Sequence, residues 1–348
     1  MAYYLPLTAT AMRMRVSARS LPARAITMIF RMRSYLFAIC PLLLSGLCLL
    51  IGSPSDNDKP RSFELAAIAP KFWNLLDHEA KMSKVAAGFG FTEGPVWDPA
   101  GFLYVSDEIQ NQIYRVHLDG RKESVLAVKD PDGNTYDRQH RLLDCASIIR
   151  AIIQVNPGGS YKIRADRFEG KRFNSPNDIV TGPDGALYFT DPTLDLPKGV
   201  KQEIPFQGVY RLGVKGDVRL LARDMSQPNG IAFSPDGKKL YVDDSERRNI
   251  RVFDFLPNGN VSNERVFGEE KGSGGVPDGM RVDKEGNLFV VGPRGIWVWD
   301  PQGNHLGTII TPEQPANLGW GDEDYRTLYI TAATSVYRIR TKVQGFVP

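Results

Sequence analysis

Short runs of alternating apolar and polar residues recur along most of the chain. NQIYRVHL (111–118), GVYRLGV (208–214), NIRVFDF (249–255) and GIWVWD (295–300) each place apolar side chains on one face and polar ones on the other, the period of half-buried β-strands. Turn dipeptides and tripeptides built on glycine separate them. No segment longer than two turns has sustained helical periodicity, except residues 71–84.

The strands belong to a larger repeat. TEGPVWDPAGFLYVSD (92–107), PDGNTYDRQHRLLDC (131–145), SPNDIVTGPDGALYFTD (175–191), QPNGIAFSPDGKKLYVDD (227–244), VPDGMRVDKEGNLFVV (276–291) and PANLGWGDEDYRTLYIT (315–331) share one plan. A polar residue leads into a short apolar run, a turn, and a strand ending in small or acidic residues. Eight positions before the turn residue stand Glu93, Asp132, Asn177, Asn229, Asp278 and Asn317, at intervals of 39, 45, 52, 49 and 39 residues. Strand-rich units of this period are the mark of a β-propeller with one four-stranded blade per repeat. The expected fold is therefore all-β, a six-bladed propeller over 84–345 around a central channel. The strand near KVAAGF (84–89) would complete the last blade and close the ring, removing the exposed edges of an open sheet. Residues 56–83 read as a linker and lead-in.

The repeat phase also places chemistry. Residues at one phase on the channel-lining strands form a ring at one height, so carboxylates and amides gather around one point. Carboxylates withdrawn from water repel one another unless neutralised. Oxygen donors of this kind suit a hard divalent cation, calcium above all. Asp and Asn also cap turns, and one such residue alone would read as a cap; six at one phase read as a cation ring.

Composition narrows the partners. Residues 1–55 carry six arginines and no acid, and 35–52, YLFAICPLLLSGLCLLIG, is an uncharged apolar run. That pairing reads as a signal or membrane anchor of an exported protein, periplasmic or extracellular, ahead of an organelle transit peptide. The whole chain is +3, so the rest is acidic and has no basic run for nucleic acid. Cys40 and Cys48 fall in the apolar run, which leaves Cys145 without an intrachain partner and no cysteine–histidine cluster with zinc spacing. No serine nucleophile elbow or dinucleotide fingerprint is present. Trp97, Trp297 and Trp299 read as packing residues. Asp107, Asp191 and Asp244 read as the ends of innermost strands, bonding turns.

FTEGPVWDP, RFNSPNDIV, QPNGIAFSPDG, PDGMRVD and PANLGW…LYITAATSVYRIR together resemble the gluconolactonase / senescence marker protein (regucalcin) / luciferin-regenerating enzyme family, in its bacterial gluconolactonase-type branch. The likeness runs from about Lys84 to Arg340. It implies one divalent ion, usually calcium, held by Glu93, Asn177, Asn229 and Asp278, with Asp132 and Asn317 behind them or facing substrate. The implied activity is hydrolysis of a cyclic ester such as a sugar lactone, with Asp278 as base or nucleophile and Glu93 the second choice, and Asn177 and Asn229 donating to substrate oxygens. Other esters or organophosphates at the same site, or a non-catalytic calcium-stabilised propeller that binds protein, are the alternatives. The family branch reads Arg-Gln-Gly-Arg-Leu and then Cys-Glu-His-Gly in the second repeat; RQHRLLDCASII (138–149) has His140, Ala146 and Ser147 instead. That departure bears on substrate preference. The loop 192–207, PTLDLPKGVKQEIPFQ, reads as a lid or plug over the channel.

Overall fold

The structure is a computed structural model that describes residues 61–348. Six antiparallel four-stranded sheets follow one another along the chain. Their innermost strands are Thr92–Asp98, Pro131–Tyr136, Ile179–Thr181, Pro228–Phe233, Met280–Val282 and Pro315–Gly321, in blades one to six. The chain closes the ring as its pattern predicts: Met82–Ala87, ahead of blade one, pairs with Ser335–Arg340 as the outer strand of blade six.

Every blade interface has its own apolar core. Leu126 and Ile113 meet Ile153 and Leu142 between blades one and two, and Phe189 meets Leu143 and Ile152 between two and three. Phe233 and Ile231 pack on Tyr188 and Val180, and Met280 and Leu288 on Tyr241 and Ile250. Leu318, Trp320 and Ile330 face Phe289 and Val298. Trp97 and Leu103 meet Tyr329 and Val336 across the closure. Alternation along each strand thus feeds two neighbours, and the apolar area is buried between sheets, where the hydrophobic stabilisation of the ring resides.

Three expectations change. The lead-in at 56–83 is more than a linker, because Glu64–Ala67 adds a fifth strand to blade five by pairing with His305–Ile310. The helical pattern at 71–84 survives only as one turn, Phe72–Leu75, before a strand starts at Met82. The turn owes its place to packing, since Phe72, Leu75 and Leu76 fill the core under blades five and six. Finally, Asp107, Asp191 and Asp244 end the second strands, not the innermost ones. They do bond backbone: Asp107 accepts from Gly90 and Phe91, Asp191 from Asn174, and Asp244 from Ser226 and Gln227. The basic start and the apolar run at 35–52 lie outside the described residues, among which no helix is long and apolar enough to cross a membrane.

Candidate functional site

All six phase-matched residues stand where an innermost strand enters the channel, and they interact in neighbouring pairs. Asn317 Nδ2 donates to Glu93 Oε2 at 2.8 Å, joining blades six and one. Asn177 Nδ2 donates to Asp132 Oδ2 at 2.7 Å, joining blades three and two. The Asn229 amide lies beside the carboxyl of Asp278 and favours its ionised form, across blades four and five. Each blade boundary of this set therefore has one carboxylate and one amide.

Close backbone approach makes the ring tight. A Cβ on Gly279 would lie 2.1 Å from Asn317 Oδ1 and 2.7 Å from its Cα. Gly279→Ala is therefore expected to lower the melting temperature strongly, by the equivalent of about 2 kcal/mol or more. An unchanged melt would show that the two blades can separate without cost.

Each amide donates within the ring. Asn177 donates to Asp132 and lies near the Asp195 carboxyl, and Asn229 donates to Ser245 Oγ at 3.1 Å and lies near the Asp278 carboxyl. The expected donation from Asn177 and Asn229 to substrate oxygens would use the second N–H of each amide. Their Oδ1 atoms accept no hydrogen bond from the described residues, whereas Asn317 Oδ1 accepts from Leu318 N at 2.8 Å. Asn317, also placed among the substrate contacts by sequence, ties Glu93 to the wall.

Further carboxylates join the ring. Ligand atoms of Glu93, Glu108 and Asp132 lie within 4.8 Å of one another. Burial, and then Glu93, Asp195 and Asp130 beside it, push Glu108 up to about 10. Burial and then Asp178 raise Glu93 to about 8, against hydrogen bonds from Gly94 N and Asn317. Burial and then Asp195 raise Asp130 to about 7. Asp132 and Asp278 are raised by burial first and by neighbouring carboxylates second. Asp278 and Glu108 keep part of their surface open. No described Lys or Arg forms an ion pair with any of these carboxylates. The nearby cation is Arg281, whose Nη1 is 3.6 Å from Oδ2 of the buried Asp178 below the ring.

Sequence reasoning missed Glu108, Asp130 and Asp195. Glu108 had a signal, for it stands fifteen residues after Glu93, as Ser147 stands fifteen after Asp132 and Ser245 sixteen after Asn229. This second phase, just past the second strand, faces the ring: Ser147 Oγ contacts Asp132 Oδ2 at 3.2 Å and donates to Pro176 O at 2.6 Å. Asp195 had none, because it lies on the 192–207 loop outside the repeat. That loop is anchored by the buried Ile204 and by Thr193, which exchanges hydrogen bonds with Gln227. The unusual 140–147 stretch divides between the two ends of the channel. Ser147 serves the ring, while His140, at φ 56° in a glycine-like turn position, stacks on Tyr136 at 4.0 Å at the far end.

Comparison with known proteins agrees with this architecture. The SMP-30/Gluconolactonase/LRE-like region family model matches residues 91–334. A gluconolactonase of Zymomonas mobilis is 35% identical over 310 residues, covering 81% of this chain and 87% of that protein. The diisopropyl-fluorophosphatase of Loligo vulgaris is 26% identical over 282 residues, covering 73% and 89%. A solved gluconolactonase structure from Xanthomonas campestris superposes with a TM-score of 0.74 at 30% identity, covering 80% of this chain and 94% of that one. A six-bladed ring with these phase-matched residues at its axis, matched over more than half its length, belongs to the SMP-30/gluconolactonase/LRE-like family, as an enzyme of the lactonase type.

Proposed function

We propose that the chain hydrolyses a neutral sugar lactone with one divalent cation, calcium, held on the axis by Glu93, Asn177, Asn229 and Asp278. One observation carries this reading: carboxylates of blades one, two and five crowd one another, while the one nearby cation, Arg281, stands against Asp178 and forms no ion pair with them. The donor set fits a hard cation, since it is all oxygen, while the one cysteine among the described residues is buried in a blade interface. The open Oδ1 atoms of Asn177 and Asn229 support them as ligands, whereas Asn317 Oδ1 already accepts from Leu318 N.

When bound, the ion supplies a Lewis-acid contact for the lactone carbonyl oxygen. The remaining work falls to the chain. Asp278, with open surface at the ring, takes the proton of an attacking water, or its own oxygen attacks the carbonyl carbon and water then releases the product. In either course the ring C–O bond breaks, and the leaving alkoxide takes up a proton to give a hydroxy acid. Asn229 orients Asp278, and Asn317 orients Glu93. At the mouth, Glu108, Asp130 and Asp195 are acceptors suited to a substrate rich in hydroxyl groups. A triester, which has no O–H to offer, leaves them unpaired, so an organophosphate fits this mouth less well.

The test uses the full chain stripped with chelator, titrated with calcium and assayed on a panel of aldonolactones by acid release. Turnover that returns with calcium supports the reading; turnover undiminished without any metal overturns it. Asp195→Ala is expected to raise KM for a hydroxyl-rich lactone about tenfold, the effect of one charged hydrogen bond, with kcat less affected. An unchanged KM would remove the loop from substrate binding. Export directed by residues 35–52 is proposed alongside, and cell fractionation that finds the full-length enzyme in the cytosol would overturn it.

A further inference from the structure

The channel has a second chamber. Beyond the ring the innermost strands continue as PVW (95–97), IVT (179–181), IAF (231–233) and LGW (318–320), apolar runs without any phase-matched carboxylate. They enclose a cavity of about 470 Å³ at the end of the axis away from the ring. Its walls include Trp97, Tyr136, Phe233 and Trp320, and Arg281 reaches it from the floor.

Arg281 is only partly engaged. Its Nη1 donates to Met280 O at 2.6 Å and stands 3.6 Å from Asp178 Oδ2. Asp178 also accepts from Ile179 N at 2.9 Å and Ile231 N at 3.3 Å, so its oxygens are shared with backbone. Nε and Nη2 of Arg281 have no hydrogen-bond partner among the described residues, and the side chain keeps 16% of its surface, on the cavity that it lines. Among the other polar groups of the lining, Asp137 bonds Arg141 Nε at 2.6 Å, Arg138 donates one bond to Pro183 O from the exposed rim, and His140 stacks on Tyr136, while Pro348 also lines the cavity.

A concave space of this size, with largely aromatic and aliphatic walls and a partly free guanidinium on its floor, is the usual form of a small-molecule site. A guanidinium edge with spare N–H groups matches a carboxylate in planar, two-point geometry. One such fork is enough for a monocarboxylate, and the aromatic and aliphatic walls favour an apolar body. We propose that this lower chamber is a second ligand site, which takes a small apolar carboxylic acid with its carboxylate on Arg281 and its body between the aromatic walls. It is separate from the ring, because the Asp178–Arg281 pair forms the floor between them.

The full chain, loaded with calcium, is titrated with sodium octanoate and, in parallel, with octan-1-ol. Tryptophan fluorescence reads the site, since Trp97 and Trp320 line it, and calorimetry gives the stoichiometry. Octanoate should bind saturably, one per chain, and about tenfold or more tighter than octan-1-ol. Arg281→Gln should erase that difference. Because removing Arg281 leaves Asp178 buried without its cation, Thr135→Trp gives a second variant: Thr135 is half-buried on the chamber wall, so the indole narrows the chamber and should abolish octanoate binding while lactone turnover persists. Equal binding of the alcohol, no saturable binding, undiminished binding to Thr135→Trp, or competitive displacement by an aldonate product would overturn the proposal.

Discussion

Asp278→Asn is expected to abolish lactone turnover, lowering kcat by about 10³-fold or more, while the propeller stays folded. The side chain keeps its size, and its partner Asn229 keeps a hydrogen-bonding group opposite. What disappears is the oxygen that takes a proton or attacks carbon. Stability should not suffer in the metal-free chain, because Asp278 is crowded first by burial and then by Glu93 and Asp178, and removing a charge from that neighbourhood relieves repulsion. Three measurements separate the roles: kcat at saturating calcium, calcium affinity, and the thermal melt. A variant that binds calcium weakly yet regains full kcat when saturated would show that Asp278 only holds the ion. A variant with low kcat at saturation and a native melt supports its part in the chemistry. Hydrolysis in ¹⁸O-water over a single turnover then divides base from nucleophile: water activated by Asp278 puts ¹⁸O into the product at once, whereas water that opens an acyl intermediate at the Asp278 carboxyl carbon leaves ¹⁸O in the enzyme and ¹⁶O in the product.

The ring was legible in the sequence because propeller geometry converts repeat phase into height on the axis. Counting back from six turns brought Glu93, Asp132, Asn177, Asn229, Asp278 and Asn317 to one level, and three amide–carboxylate contacts now link them across blades. Blade closure by the strand near residue 84 was legible for the same reason, as one repeat lacked its outer strand. Roles within the ring were harder to read. Whether an amide offers oxygen or hydrogen depends on what its other end meets, and Leu318 N decides that for Asn317. Asp195 lies on a loop that interrupts the period, so no spacing announces it. The fifth strand at 64–67 has too few residues to alternate visibly, and only the exposed edge of blade five gives it a place. The second chamber escaped notice because its residues are ordinary strand residues, made distinctive only by facing one another across the axis.

The strongest physical consequence of the ring is a reversal of pH dependence on metal binding. Without a cation, Glu93 titrates near 8 and Glu108 near 10, for burial and neighbouring carboxylates keep them protonated. In the unfolded chain both ionise near 4.3. Between those values the folded chain holds more protons than the unfolded one, so stability falls as pH rises, by about 1.4 kcal/mol per pH unit for each proton retained. The metal-free melting temperature should therefore decline from pH 5 to pH 8. A bound cation favours the ionised carboxylates and depresses their pKa, so the loaded protein gains stability above the unfolded values and loses it on acidification. Calcium should then raise the melting temperature by about 10 °C or more at pH 8 and by little at pH 5. Binding at pH 7 should release protons, seen by calorimetry in buffers of differing ionisation enthalpy. A metal-free melt that is flat or rises from pH 5 to pH 8 would mean that the carboxylates are already ionised without a cation, and the electrostatic reason for a metal on this axis would fail.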